Sequence, residues 1–400
     1  MPTLQVLLAD DDAVNLMVVE RMLTSGLKKL NFDFECVVQT ISEGDKVFNK
    51  ALQQNFDVIL LDWEMPEMDG IEVLKLLKAN PQTAEVPVIM VTSNTTSEHV
   101  RIAFDAGATD YIKKPIEPQE LLSRMKTVTQ ISNSYREIKN MNKHILAQQK
   151  EISASIFYAR KLQQAMMPSE DTLKSIFSDF FVLNRPRDIV SGDFYWAAET
   201  EDFKIFALAD CTGHGVPAAM MSMLGNNLLN DAILNRGFDD PADVLNYLHN
   251  GVRKALHQSS SDSKDGMDIA LIFYNKHFSE ITFACANASF YLLNDNEIFD
   301  FKGDRISIGG KQLEESRIFI TQTVPHHLNN GRFFFTSDGY TDQFGGDDFK
   351  KFLIKRFKEL ILNTSELSLV DTQTMFENNL NTWIGNNKQM DDILVIGAKF

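Results

Sequence analysis

Cysteine is scarce in this 400-residue chain. It holds three, Cys36, Cys211 and Cys285, too few and too scattered for a disulfide framework or a cysteine-rich zinc site, so a reducing compartment is the expectation. Basic charge is also short, 39 Lys and Arg against 55 Asp and Glu, and the formal net charge of −16 argues against nonspecific nucleic-acid binding, which needs clustered cations. No stretch reaches the about 18 apolar residues of a membrane helix. No basic segment precedes the short apolar run in MPTLQVLLADDDAVN, so neither membrane insertion nor export is expected, and the location is read as cytoplasmic. Internal repeats and low-complexity tracts are absent. The composition, 44% hydrophobic and 24% charged, fits globular domains, two or three at about 150 residues each.

Residues 1–128 alternate short apolar runs (4–9, 32–38, 58–62, 86–92 and 108–112) with amphipathic helical patterns. Repeated βα units of this kind imply a doubly wound parallel sheet, whose ligands gather at the carboxyl ends of the strands. Asp10, Asp11, Asp62, Thr92 and Lys114 stand at those ends. From Ile131 to Met166 a 3-and-4 spacing runs without Gly or Pro, its seam alternating apolar positions with Asn142, Gln149 and Gln163. Residues 129–168 are read as a helical coiled-coil linker that pairs two copies into a homodimer; the alternative is a single helix lying on a domain surface. Past Pro168 come many short β runs (204–209, 269–274, 281–285, 290–293, 317–321, 332–336 and 393–398) and helical patterns at 218–234, 241–257, 347–362 and 370–383. Residues 169–400 are therefore expected to form an α+β layered sandwich.

A carboxylate accepts a phosphoryl group poorly unless a divalent cation neutralises the crowded charge, and hard magnesium prefers carboxylate oxygens. Asp10 and Asp11 can supply that cation site beside Asp62, in VILLDWEMPEMDG, while Thr92 offers a hydroxyl and Lys114 an ammonium group to the added oxygens. The segment resembles a CheY-type receiver domain, with its flavodoxin-like five-stranded sheet. The resemblance implies phosphorylation at Asp62, one magnesium held by Asp10, Asp11 and Asp62, and a switch formed by Thr92, Tyr111 and Lys114. It also implies a histidine kinase or phosphotransfer protein as phosphate donor. Strand-end aspartates are common helix caps taken singly; their joint placement carries the case.

In the C-terminal region four aspartates stand in turn-rich contexts: SGDFYW around Asp193, ALADCTGHG around Asp210, FTSDGYTDQ around Asp338 and MDDILVIG around Asp391. Carboxylates gathered in one domain repel one another unless cations bind between them. With no histidine pair at ligand spacing and no cysteine cluster, all-oxygen coordination points to magnesium or manganese rather than zinc. These motifs resemble the PPM-type (type 2C) protein serine/threonine phosphatases, specifically the SpoIIE-like branch, whose fold is a β-sandwich flanked by helices. The resemblance implies two ions, bound by Asp193, Asp210 and the backbone carbonyl of Cys211, with Asp338 and Asp391 completing one shell; a carbonyl ligand tolerates a cysteine side chain. Two such ions can share a water, lower its pKa and direct hydroxide at phosphorus. Asp268 is a further candidate, for a looser ion or a strand cap.

Developing phosphoryl charge needs a cation, for which Arg187 and secondarily Arg185 lie upstream of Asp193; the other reading pairs Arg187 with Asp188 or Glu199 on the surface. His214, between two glycines, is read either as part of a tight turn opening a helix or as a general acid. The function expected is a two-component response regulator whose output removes phosphate from phosphoserine or phosphothreonine on a signalling protein, an anti-sigma-factor antagonist-like partner by family analogy. Two other classes compete. SGDF has a local likeness to the GGDEF signature of nucleotide cyclases, but no Glu follows Asp193 and the later aspartate motifs have no place in that scheme. A non-catalytic module that sequesters a partner is the second, against which the full set of aspartates weighs.

Overall fold

The run Val58–Asp62 is buried at every residue, as the central strand of a parallel sheet covered on both faces must be. In the computed structural model, described over residues 3–26, 35–310 and 317–400, it is β3 of a sheet with β1 (Thr3–Ala9), β2 (Glu35–Ile41), β4 (Val88–Thr92) and β5 (Asp110–Lys113). The order is β2-β1-β3-β4-β5 and every pairing is parallel. The helices Ala13–Arg21, Gly44–Gln53, Gly70–Ala79 and Ser97–Asp105 connect the strands. Alternation divides the core: Leu7, Ile59, Leu61 and Met90 face one cluster, Val6, Leu8, Leu60 and Ile89 the other. Of the expected strand at 32–38, residues 32–34 lie outside the described residues.

One helix spans Pro118–Met166. Its start packs Leu121, Leu122, Met125 and Val128 into the receiver core, so it begins eleven residues before the expected linker. Beyond that, Ile131, Tyr135, Ile138, Ile145 and Ile152 are exposed. Contacts divide the chain within this helix, into Met1–Gln149 and Lys150–Phe400. No described helix is long and apolar enough to cross a membrane.

In the second unit the strands are β6 (Asp179–Arg185), β7 (Phe194–Glu199), β8 (Phe203–Cys211), β9 (Gly266–Asn275), β10 (Ile281–Ala286), β11 (Ser289–Asn294), β12 (Glu297–Lys302), β13 (Ile308–Gly309), β14 (Gln322–Thr323), β15 (Arg332–Thr336), β16 (Phe344–Gly345), β17 (Lys350–Lys351) and β18 (Ile393–Lys399). One antiparallel sheet runs β14-β10-β9-β8-β7 with β13 on β9, the other β12-β11-β15-β18-β6, and β16 and β17 form a separate hairpin. The period of two builds the layers. Phe206 and Leu208 of β8 meet Phe333 and Phe335 of β15 between the sheets, with Phe206 and Phe335 rings 4.9 Å apart. Ile205, Ala207 and Ala209 face the helices Gly215–Leu229 and Pro241–Ala255. Phe334 turns the other way, toward the helices Leu353–Leu362 and Leu369–Ile384. Each fully buried phenylalanine contributes about 1.5–3 kcal/mol to holding these layers.

Two local expectations fail. Residues 317–321 alternate like a strand but form none; Phe319 is buried between exposed Ile318 and Ile320. The Phe319 and Ile320 amides donate to Asn246 Oδ1 and Asp304 Oδ2, so side chains take the place of a ladder. The helix expected over 347–362 starts only at Leu353, because the glycine-rich turn of the β16–β17 hairpin, with Gly346 at φ 68°, occupies the preceding residues.

Candidate functional site

Asp10 follows β1, Asp62 ends β3, Thr92 ends β4 and Lys114 follows β5, so four adjacent parallel strands deliver all four to one edge of the sheet. Asp10 and Asp62 are each 3% exposed. Lys114 Nζ lies 2.8 Å from both Asp10 Oδ2 and Asp62 Oδ2. Asp10 Oδ1 also accepts from the Asp12 amide at 2.9 Å and Asn15 Nδ2 at 3.1 Å, which fixes its orientation. Burial, then the Asp10 charge, push the Asp62 carboxyl up, and the Lys114 hydrogen bond opposes them. Asp10, Asp11 and Asp62 bring carboxylate oxygens within 4.8 Å of one another, a donor set that suits a hard cation. Thr92 Oγ1 accepts from the Asn94 amide at 3.0 Å. The Tyr111 ring is half-buried, edge-on to Phe104 at 6.1 Å, with the Arg124 guanidinium over it at 5.4 Å.

In the second unit Asp210 lies in β8 opposite Asp268 of β9, and Asp193 immediately precedes β7. Asp338 opens the short helix Asp338–Asp342 after β15, and Asp391 stands just before β18. Neighbouring strand ends thus gather carboxylates separated by long stretches of chain. Asp210 contacts the side chains of both Asp193 and Asp338, and its Oδ2 accepts from the Asp338 amide at 3.3 Å. Burial, then the Asp338 charge, push the Asp210 carboxyl up to about 8. Burial and Asp210 hold Asp193 well above the carboxylate range; burial and Asp391 raise Asp338. Asp193 is 2% exposed and its Oδ2 is buried with no hydrogen-bond partner. An orphaned, buried carboxylate oxygen among other carboxylates calls for a cation. Among the described residues no three of these aspartates bring ligand atoms mutually within 4.8 Å, so the contacts form a chain of pairs. Gly339 is obligatory here, since a Cβ would meet the Asp392 carbonyl at 1.9 Å.

Asp268 is held by Asn287 Nδ2 at 2.7 Å and by the Ser307 hydroxyl, against a burial that raises its carboxyl. Arg187 pairs with neither Asp188 nor Glu199: Nη1 donates to the Met390 carbonyl at 2.8 Å, Asp188 faces His214, and Glu199 faces Lys276. Arg185 donates to Asn381 Oδ1. His214 caps the helix Gly215–Leu229 between Gly213 at φ 87° and Gly215 at φ 70°, with Nδ1 2.9 Å from Asp188 Oδ2. The turn is present, and the imidazole is oriented by a carboxylate.

Two residues escape a reading of the sequence. Asp392 is 2% exposed and accepts from the amides of Arg187 and Gly192, both at 2.7 Å, clamping the loop that carries Asp193. Gln163, expected on a coiled-coil seam, is instead 6% exposed; it donates to the Ser191 carbonyl at 2.6 Å and Ser222 Oγ at 2.8 Å and accepts from the Ser191 amide at 3.2 Å.

Over residues 6–126 the chain matches the family described as response regulator receiver domain, and over 203–400 that described as Stage II sporulation protein E (SpoIIE). It is similar to the SiaA-PP2C domain of Pseudomonas aeruginosa, 30% identical with a TM-score of 0.56, over 64% of this chain and 99% of that one. It is similar to the transcriptional regulatory protein SrrA of Staphylococcus aureus, 27% identical over 196 residues, 43% of this chain and 77% of that protein. The chemotaxis protein CheY4 of Vibrio cholerae is 31% identical over 32% of this chain and 98% of that one, with a TM-score of 0.27. The chain belongs to the response regulators, with a receiver domain followed by a SpoIIE domain of the PPM phosphatase family as its output.

Proposed function

We propose that the second unit hydrolyses phosphoserine or phosphothreonine on a signalling protein, an anti-sigma-factor antagonist-like partner being the class expected, and that phosphorylation of Asp62 sets its rate. The observation that carries this is the buried carboxylate chain of Asp193, Asp210 and Asp338 with its orphaned Asp193 oxygen. PPM phosphatases generally use manganese or magnesium, and the all-oxygen set fits either. Asp193, Asp210 and the Cys211 carbonyl would hold a pair of ions, with Asp338 and Asp391 completing one shell and Asp268 free for a looser one. When bound, such ions supply a water acidified enough to attack phosphorus near neutral pH. The chain's own residues position that chemistry. Asp392 fixes the Asp193 loop through backbone amides. Arg187, anchored at the rim by the Met390 carbonyl, is the candidate cation for phosphoryl oxygens.

The first unit takes its phosphoryl group from a histidine kinase or phosphotransfer protein, with Asp10, Asp11 and Asp62 holding one magnesium. Transfer would draw Thr92 toward Asp62, beside which Lys114 already stands, and reset the Tyr111 face. The linker helix supports a physical route. Withdrawing Gln163 would unpair both backbone groups of Ser191, two residues before Asp193. The exposed Ile131, Ile138, Ile145 and Ile152 support pairing of this helix with a second copy, with Asn142 and Gln149 fixing register. Sedimentation of a monomer at micromolar concentration would sink the dimer.

The test is p-nitrophenyl phosphate hydrolysis with and without manganese, then with beryllofluoride as phosphoryl mimic. Turnover should require metal and change several-fold with beryllofluoride, and Asp62→Asn should erase the response. Equal rates with and without the mimic rule out the switch; absent turnover rules out the phosphatase.

A further inference from the structure

The stretch that delivers Asp391 has the least regular structure around it of any part of the site. Between the helix Leu369–Ile384 and β18 the chain forms neither helix nor strand, and residues 385–388 and Met390 are exposed. A carboxylate carried on such a stretch stands only as firmly as the hydrogen bonds that hold its backbone. Gln343 supplies them from inside. It directly follows the helix that Asp338 opens and is 0% exposed. Its Nε2 donates to the Lys388 carbonyl at 3.1 Å and to the Phe344 carbonyl at 2.9 Å, and its Oε1 accepts from the Met390 amide at 3.0 Å. A buried amide is costly unless its polar atoms are paired, and here both nitrogen and oxygen are spent on backbone groups.

The backbone of Gln343 is itself fixed. Its carbonyl accepts from the Phe352 amide and from Trp383 Nε1, both at 3.0 Å. The hairpin that follows is pressed against the end of the helix Leu369–Ile384, so closely that a Cβ at Gly345 would meet the Trp383 carbonyl at 1.9 Å. One side chain on a fixed base thus bridges the stretches that bear Asp338 and Asp391, and these two carboxyls are near enough for the Asp391 charge to raise Asp338. The far side of the loop is tied as well. The Met390 carbonyl accepts from Arg187 Nη1 at 2.8 Å, so Met390 is held at both of its backbone groups, and the Asp391 carbonyl accepts from Gln389 Nε2 at 2.8 Å.

We propose that Gln343 is a positioning residue of the metal site: by holding the loop at Lys388 and Met390 it fixes the spacing of Asp391 from Asp338, and so sets how tightly their ion is bound. Gln343 acts through Asp391 rather than on the ion. The proposal rests on the phosphatase reading above and adds to it the group that holds one of the assigned ligands in place.

The test is a double-mutant cycle in the full chain, read by calorimetric titration of manganese and by metal-free melts. Gln343→Met keeps the volume and removes every tie to the loop; manganese affinity should fall by about 10–100-fold, as for other groups that orient a metal ligand. In an Asp391→Asn background the same change should cost no more than about twofold, because its route to the ion is already cut. Its effect on the metal-free melt should be the same in both backgrounds. Gln343→Asn, which keeps an amide in the buried place but is one methylene short of the loop, should give a smaller loss of the same kind, and decides the matter if Gln343→Met does not fold. Thr364→Val removes a buried hydroxyl, bonded to the Ile361 carbonyl, elsewhere in the same unit; it should lower the melt and leave manganese affinity alone. Coupling between Gln343 and Asp391 in a chain that takes up manganese but hydrolyses no p-nitrophenyl phosphate supports the positioning role and sinks the phosphatase reading alone. Unchanged affinity in the folded Gln343 variants, an equal loss with and without Asp391, or a wild-type chain that takes up no manganese overturns it.

Discussion

Asp210→Asn should lower metal-dependent ester hydrolysis by roughly a thousand-fold or more while leaving the fold intact. Asp210 is the middle member of the carboxylate chain, touching Asp193 on one side and Asp338 on the other, so no other single change removes charge from both contacts. The same geometry predicts the sign of the stability change. Without metal, burial and Asp338 raise the Asp210 carboxyl from the ordinary 3.8 to about 8. A folded state that binds the proton more tightly than the unfolded chain loses stability as pH rises through that window. The metal-free protein should therefore melt lower at pH 8 than at pH 5, manganese should restore the loss, and Asp210→Asn should flatten both effects. Thermal melts with and without manganese at the two pH values, alongside kcat/KM, check it. A variant with wild-type turnover, or a wild-type melt indifferent to manganese, would defeat the assignment.

The receiver site was legible because its logic is local. A parallel strand buried on both faces is a continuous apolar run, its end is marked by the first polar residue, and Asp10, Asp62, Thr92 and Lys114 are such residues. The phosphatase aspartates were legible for the same reason, one motif at a time. What the local pattern could not show is division of labour between neighbours. Asp391 and Asp392 look alike in sequence, yet at the entry to β18 they face opposite ways: Asp391 lies near Asp338, and Asp392 is buried against backbone amides. The alternation leading into Ile393 was the available signal. Gln163 was hidden differently, since its partners are 28 and 59 residues away and a polar residue on a helical seam has a sufficient local explanation. Residues 317–321 had the right alternation and lacked only a neighbouring strand.

That division of labour has a measurable consequence. Asp392→Ala removes the acceptor of two amides, that of Gly192, which is buried, and that of Arg187, which lies nearer the surface. Leaving the buried Gly192 N–H unpaired, with the Arg187 N–H beside it partly open to water, costs about 1–3 kcal/mol, which for a unit of this size lowers the melting temperature by roughly 3–8 °C. The loop released carries Asp193, so turnover should also fall by about a hundred-fold through misplacement of that carboxylate. Asp392→Asn should land between, because one oxygen still accepts while the amide nitrogen confronts a donor. Asp391→Asn should behave in the opposite manner. Asp391 is partly exposed, and its loss should leave the melt near wild type while weakening the manganese-dependent gain in stability. Two adjacent aspartates would thereby separate into one that holds the loop and one that faces the ion. Melts in which Asp391→Asn is the more damaging of the two without metal would show that the roles are reversed, and Asp392 would then be the residue to test for coordination.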